Sequence, residues 1–363
     1  MNILVIGNGF DLAHGLPTKY TDFLDWVNDI FLLTGDYWWQ ESYLGKKVLK
    51  YINTYLDKQD FFVKNTDAFY AFRYSVHLKE RIAILIRDNF WLLYFLESKK
   101  LLKESWVDFE YEILNVIQII QKLIENNNQE KIEKIPSIFF KGYFDDLEKE
   151  NNINIIIERM EKHLDKFISL LEFYLCEIVC RKQIRMFSQE ILNLNIDHVL
   201  SFNYTDTYEL VYGSNKKIEY DYIHGKAVIN NMMANNNMVL GIDKTFFNNR
   251  KSLRFIAFYK FYQRIYKQTG CKYREWLDEI RKTKRIHNIY FFGHSLDVSD
   301  GDILRDLISN SNVYITIFYY NRKDFRNKIE NMIKLIGQDE LIRRTGGSTK
   351  TIEFKQQQDM VSI

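Results

Sequence analysis

The pattern of hydrophobic and polar residues changes twice along the chain. Asn2–Ile6 is a short apolar run that ends at a glycine, which is typical of a buried parallel strand. From residue 21 to about residue 195, apolar residues recur every three or four positions and predict several amphipathic helices. Short apolar runs then return and predict further strands at His198–Phe202, Ile218–Ile223, Met238–Leu240, Ile289–Phe292 and Val313–Tyr319.

Predicted helices alternate with several of these later strands. They cover Phe255–Tyr266, Tyr273–Lys282, Asp302–Ile308 and Phe325–Ile336. This alternation favours an α/β fold with a Rossmann-like, mainly parallel sheet and a large, mostly helical insertion after the first strand. We therefore expect an α/β domain at 1–20 and 196–345, a helical insertion at 21–195, and a polar, loosely held tail at 346–363.

The composition is that of a globular protein rather than of a disordered or disulfide-rich one. The chain has 363 residues, 46% of them hydrophobic, which is enough for a sizeable core. Its 50 basic and 48 acidic residues nearly balance, so the charge favours neither a nucleic acid nor a membrane surface as partner. Three cysteines do not make a disulfide framework. With neither a signal-peptide pattern nor an apolar run of about 18 residues, we expect a cytoplasmic protein.

The first polar segment follows the first predicted strand. Gly7 and Gly9, with Asn8 between them, would let backbone N–H groups approach a pyrophosphate closely. Asp11 either belongs to such a site or caps a helix. A plain strand-to-helix turn remains the alternative, because Leu12 stands where the dinucleotide fingerprint has its third glycine.

Two later strands also end in hydrogen-bonding side chains, at the edge where ligands of open α/β sheets bind. Asn203 and Asp206 follow one of them and either face a ligand or form a turn and a helix cap. His224, followed by Gly225, ends the next, and histidine can exchange a proton near neutral pH. A histidine satisfied by core or loop partners is the alternative.

A fourth polar segment runs from Gly293 to Asp300. Gly293 permits a close approach of the backbone, and Ser295 offers a hydroxyl group to a phosphate or a ribose. Asp297 or Ser299 could instead cap the helix that follows.

The helical region contributes one candidate carboxylate. Glu110 borders an apolar stripe that includes Phe109 and Ile113. Such a carboxylate either pairs with a cation or leans over a cleft, and we favour the pairing.

The order of these segments resembles that of sirtuin-like proteins: a glycine loop, an Asn-x-Asp type cluster, a His-Gly and a late Gly-x-Ser. The stretches ILVIGNGFDLAHGLPTKYTDFL and FFGHSLDVSDGDIL, with Trp106-x-Asp108-x-Glu110, resemble more closely the AbiH family of bacterial phage abortive-infection proteins. That resemblance implies an anti-phage effector. It allows for a phage-derived trigger and a homo-oligomer as partners.

The sirtuin-like resemblance implies that the α/β domain at 1–20 and 196–345 is a nucleotide-binding domain of sirtuin-like type. It also implies NAD as substrate, cleavage of its nicotinamide–ribose bond, and no metal. His224 would act as base on water or a ribose hydroxyl, Asn203 would orient the ribose or water, and Asp206 would support that region. The NAD-binding residues would be Gly7, Asn8, Gly9, Asp11, Gly293, Ser295 and Asp297. The four-cysteine zinc module of the protein deacylases is absent, which favours hydrolysis of NAD over deacylation of lysine.

Two other functions remain open. A non-catalytic nucleotide-binding sensor would use the same segments and relay a signal through the helical region. A metal-dependent nuclease effector would hold a divalent cation with Asp297, Asp300 and Asp302, but would leave the glycines and His224 without a role.

Overall fold

The central feature of the fold is a parallel sheet of six strands. The computed structural model describes residues 1–34, 82, 84–86, 89–98, 106–126, 152–180, 182–213, 217–228, 236–243 and 250–362. The sheet contains β1 (Asn2–Ile6), β3 (His198–Ser201), β4 (Glu219–Tyr222), β5 (His287–Phe292), β6 (Val313–Tyr319) and β7 (Ile352–Gln356). A small antiparallel sheet pairs β2 (Met186–Phe187) with β8 (Val361–Ser362).

Helices surround the sheet and also fill most of the described chain between β1 and β3. In that stretch they are α1 (Asn8–Ala13), α2 (Tyr20–Thr34), α3 (Phe90–Ser98), α4 (Trp106–Asn126), α5 (Asn152–Tyr174), a π-helical turn (Leu175–Val179) and α6 (Gln189–Leu192). Later come α7 (Thr207–Tyr212), α8 (Lys260–Tyr266), α9 (Tyr273–Lys282), α10 (Gly301–Ile308), α11 (Arg322–Ile336) and α12 (Gln338–Thr345). Turns of 3-10 helix cover Arg250–Phe258, Val298–Asp300 and Gly347–Thr349.

The order of strands places β1 in the middle of the sheet. Across the sheet the order is β4-β3-β1-β5-β6-β7, and every neighbouring pair is parallel. The chain therefore builds one side of β1 first and then crosses to the other side. The strand order therefore reverses between β1 and β5. Open α/β sheets bind ligands at such a point, outside the carboxyl ends of the strands.

Both faces of the sheet are buried. On one face Ile3 and Val5 pack into a core with side chains of α9, α10 and α11. On the other face Leu4 and Ile6 pack with Phe10 of α1 and with residues around α6 and α7. Burial on both faces explains why β1 reads as an unbroken apolar run.

A third core joins the helices that lie between β1 and β3 in the chain. It contains Phe23 of α2, Trp91 of α3, Phe109 of α4 and Phe167 of α5. Leu240, from the segment after β4, belongs to the same cluster. Within the described ranges, no helix is long and apolar enough to cross a membrane.

The predicted α/β fold with a parallel sheet is confirmed, but the predicted strand at Met238–Leu240 is wrong. Those residues are buried without belonging to a strand. The side-chain amide of Gln263, rather than a neighbouring strand, forms hydrogen bonds with the backbone of Leu240. Leu240 N–H donates to Gln263 Oε1 at 3.0 Å, and Gln263 Nε2 donates to Leu240 O at 2.9 Å. The predicted helix Phe255–Tyr266 is also divided, into the end of a 3-10 helix and α8.

The prediction of a loosely held tail from residue 346 is wrong for 352–356. These residues form β7, which extends the parallel sheet beyond β6, with Ile352 opposite Ile315. Ile352 is buried, whereas Lys355 and Gln356 are exposed. The segment reads as polar because it is an edge strand whose end faces solvent.

Candidate functional site

A cavity of about 270 Å³ opens at the carboxyl ends of β1, β3, β4 and β5. Each of these strands is followed directly by residues that line it. The helices before β3 add Glu110 of α4 and Leu175 of the π-helical turn. The cavity thus lies where the strand order reverses, and both the sheet and the helical region contribute to it.

Most of the site residues predicted from the sequence meet in this cavity. Those that line it are Gly7, Asn8, Gly9, Asp11, Asn203, His224, Gly293 and Ser295. Asp206 and Asp297 are not among the lining residues. Asp206 faces Lys226, with Oδ2 and Nζ 3.3 Å apart. Asp297 accepts a hydrogen bond from Ser299 N–H at 2.9 Å and caps the 3-10 turn, which was the alternative weighed for it.

The glycines allow the loops after β1 and β5 to touch. A Cβ on Gly7 would lie 2.8 Å from His294 Cα, and one on Gly293 would lie 2.0 Å from Phe10 N. Gly293 also has a φ of +66°, which favours glycine. Gly9 N–H donates to Gly293 O at 2.8 Å, so this donor is already used within the protein. The glycines therefore join two loops, a role that differs from the predicted contact with a pyrophosphate.

Two residues that follow β3 bind the glycine loop and the helix after it. Asn203 Nδ2 donates to Gly7 O at 3.0 Å. Thr205 Oγ1 donates to Asp11 Oδ2 at 2.6 Å, so Thr205 rather than Asp206 reaches this carboxyl. Burial raises the pKa of Asp11 to about 6, against the hydrogen bonds from Thr205, Thr207 and Asn203.

His224 is the predicted base, and the structure gives it a carboxylate partner. Its Nε2 lies 3.1 Å from Asp300 Oδ1, and its side chain is 7% exposed. A carboxylate at Nε2 favours the tautomer with the proton on that nitrogen, which leaves Nδ1 as an acceptor. Nδ1 is buried and has no hydrogen-bond partner among the described residues. Burial lowers the pKa of His224, so the ring is neutral and able to accept a proton at neutral pH.

Lys260 was not predicted from the sequence, and it joins two of the acidic residues that line the cavity, Glu110 and Asp300. Lys260 Nζ lies 3.0 Å from Asp300 Oδ1 and 2.7 Å from Glu110 Oε1. Its side chain is 4% exposed. Burial works against the charge of Lys260, but Asp300 and Glu110 more than offset it and raise the pKa of Lys260. The available signal was a lysine within the aromatic run FIAFYKFY at the start of α8.

The two carboxyls that share Lys260 differ in charge. Burial acts to raise the pKa of both carboxyls. At Asp300 the neighbouring Lys260 and His224 outweigh burial and hold the pKa well below its usual range. For Glu110, burial outweighs the attraction of Lys260, the charge of Asp300 adds to the effect of burial, and the pKa rises to about 8. The predicted pairing of Glu110 with a cation is confirmed, and Glu110 also lines the cavity.

His294 organises the loop beside this group. Its Nδ1 accepts a hydrogen bond from Leu296 N–H at 2.9 Å, and its carbonyl accepts one from Lys328 Nζ at 2.7 Å. Burial lowers the pKa of His294 to about 4, so this ring stays neutral. Its edge-on contact with Phe202, at 4.4 Å between ring centroids, fixes the loop against the end of β3.

Comparison with models of protein families shows which family the chain belongs to. The family model described as Bacteriophage abortive infection AbiH matches residues 3–321. The chain belongs to the AbiH family. That description indicates a part in abortive-infection defence against bacteriophages, and the AbiH match spans every cavity residue discussed above. The comparisons with curated proteins and with solved structures give no match.

Proposed function

We propose that this AbiH-family protein is a phage-defence effector that binds NAD and hydrolyses its nicotinamide–ribose bond. The observation that carries the proposal is the buried His224–Asp300 pair. His224 lines the cavity at the reversal of strand order, and its Nδ1 has no hydrogen-bond partner among the described residues. Counted along the chain, the six parallel strands have the order 3-2-1-4-5-6. Doubly wound sheets with that order bind dinucleotides across the crevice at this point.

The reaction needs one group that accepts a proton. The bond between ribose C1′ and the nicotinamide nitrogen breaks, the electron pair goes to that nitrogen, and the ribose acquires oxocarbenium character. A water oxygen adds to C1′ while its proton passes to His224 Nδ1. Asp300, bonded to Nε2, stabilises the resulting imidazolium, which then releases the proton to solvent. The products are nicotinamide, ADP-ribose and one proton.

The cavity volume suits part of a dinucleotide. About 270 Å³ is slightly smaller than the usual small-molecule pocket of about 300–1,000 Å³. We therefore place the nicotinamide and its ribose inside the cavity, beside His224. The rest of NAD would run along the loops that begin at Gly7 and Gly293.

The direct test in cells is the NAD level, measured by mass spectrometry, in bacteria that express the wild type or His224→Ala. His198→Ala is the matched control, because His198 begins β3 at the opposite edge of the sheet and faces the exposed Glu219. We expect NAD to fall and nicotinamide to rise with the wild type and the control only. An equal fall of NAD with His224→Ala would remove His224 from the reaction.

The alternative functions have weaker support. In the nuclease hypothesis Asp297, Asp300 and Asp302 would hold a metal, but each has another partner. Asp300 binds Lys260 and His224, and Asp302 lies 3.1 Å from Arg264. A sensor is favoured by one observation: Glu110 connects the cavity to α4. Tight binding of NAD or ADP-ribose by the wild type without turnover would replace the hydrolase with the sensor.

A further inference from the structure

One carboxyl oxygen of Glu110 is left without a partner among the residues that the structure describes. Its Oε1 lies 2.7 Å from Lys260 Nζ, whereas its Oε2 is buried and has no hydrogen-bond partner in the described part of the chain. Glu110 lines the same cavity as His224. A buried carboxyl oxygen without a partner is costly, because it has lost its water and gained nothing in return. A ligand in the cavity would supply the missing partner.

The surroundings of Glu110 determine which hydrogen bond it can offer. The charged or titratable groups that act on it are Lys260 of α8, Asp300 of the 3-10 turn, Asp297 just before that turn, and Tyr204 after β3. Asp300 and Asp297 add negative charge, and burial also opposes ionisation, so the pKa of Glu110 rises to about 8. Because Oε1 accepts from Lys260, the proton of the neutral carboxyl belongs on Oε2. Oε2 is then a donor, while His224 Nδ1 is an acceptor.

We infer that Glu110 is a second ligand-contacting residue of this site, which donates a hydrogen bond from Oε2 to the leaving base of the ribosyl substrate. Lys260 is a positioning residue, since it fixes Glu110 Oε1 and Asp300 Oδ1 at the same time. The inference rests on the proposed cleavage of an N-ribosyl bond. It assigns the two chemical roles to different regions, with the base His224 at the sheet and the donor Glu110 on α4.

In NAD the acceptor would be the carboxamide oxygen of nicotinamide. As the bond to C1′ breaks, its electron pair moves onto a ring that was positively charged, so the carboxamide oxygen gains electron density. A donor at that oxygen therefore binds more strongly in the transition state than in the ground state, which is the condition for catalysis. Glu110 keeps its proton in this step, because nicotinamide leaves as a neutral molecule.

The experiment compares Glu110→Gln and Glu110→Ala with Glu112→Gln, a control on the same helix whose carboxyl accepts from Tyr94. The first measurement is kcat/KM for NAD against pH. In the wild type we expect a tenfold fall per pH unit above the pKa of Glu110, about 8. Glutamine can accept from Lys260 and donate from Nε2 but cannot ionise, so the pH profile of Glu110→Gln should lack this fall, whereas that of Glu112→Gln should show it. Glu110→Ala should lose about tenfold or more at every pH.

A binding measurement separates this inference from the proposed function. Binding of nicotinamide alone, followed by ligand-observed NMR, needs no turnover. We expect the wild type, Glu110→Gln and Glu112→Gln to bind it, and Glu110→Ala to bind about tenfold more weakly. This binding pattern without cleavage of NAD would contradict the proposed hydrolysis but would support the hydrogen bond from Glu110 to nicotinamide. Equal binding and equal activity of Glu110→Ala, or no binding by the wild type, would overturn the role of Glu110.

Discussion

Charged side chains are buried to different degrees at the two ends of the strands of the parallel sheet, which are called here the carboxyl edge and the amino edge. At the carboxyl edge, the side chains of Lys260, Glu110 and Asp300 are 4%, 14% and 13% exposed. At the amino edge, the side chains of Asp197 and Glu219 are 45% and 62% exposed. The same fold therefore leaves charges in water at one edge and removes them from water at the other.

The difference indicates what the carboxyl edge is for. A buried ion pair often stabilises a protein less than apolar residues of the same volume would, because its charges must lose their water. The amino edge shows that this sheet does not require buried charges. Buried titratable groups with shifted pKa values cluster at functional sites, so the carboxyl edge is best understood as a site that the rest of the fold keeps in place.

The largest expected effect is on the lysine that joins the buried carboxyls. Lys260→Met should destabilise the protein by about 3–5 kcal/mol, because it leaves Asp300 and Glu110 in the cavity without their common cation. Urea unfolding measures the loss. Adding Glu110→Gln and Asp300→Asn should recover much of it, and no recovery would mean that lost packing, not charge, explains the effect.

The next effect concerns the loops at the carboxyl edge. Gly293→Ala should cost about 2–4 kcal/mol, since the new Cβ would lie 2.0 Å from Phe10 N at a φ of +66°. Gly347→Ala is the matched control: its φ is +63°, but nothing lies within 4 Å of the new Cβ. The control should cost only about 1–2 kcal/mol. Equal losses in thermal unfolding would contradict the close contact between the two loops.

A smaller effect should appear in the pH dependence of stability. The pKa of Glu110 is raised from 4.5 to about 8 in the folded protein, so the unfolded chain loses this proton first. The contribution of Glu110 to stability is therefore complete below pH 4.5 and is lost as the pH rises to about 8. Relative to Glu110→Gln, the wild type should lose about 2 kcal/mol between about pH 6 and about pH 7.5. Parallel curves for the two proteins would show that Glu110 does not titrate in this range.

The smallest effect belongs to the amino edge. Glu219→Gln should change the free energy of unfolding by less than about 1 kcal/mol, because its contact with His198 is exposed. NAD cleavage should remain at the wild-type rate. A large loss of either stability or activity would remove the contrast between the two edges.

The sequence was informative where a segment depends on its own pattern. The bounds of β1, β6 and α9 were predicted as they occur, because an unbroken apolar run and an amphipathic period are local signals. His224 was found because it ends a predicted strand. Lys260 and Glu110 were not recognised as a pair, since nothing local shows that α4 and α8 meet. β7 was missed because its outer end is polar.

Hydrolysis of NAD with His224 as base can be measured with purified protein and NAD labelled in the nicotinamide ring, in water enriched in oxygen-18. We expect the wild type to release labelled nicotinamide and to form ADP-ribose with oxygen-18 at C1′. His224→Ala should release it about a hundredfold or more slowly, and His198→Ala at the wild-type rate. Cleavage by His224→Ala at the wild-type rate would contradict the role of His224 as base. Bound NAD that the wild type leaves intact would contradict hydrolysis itself.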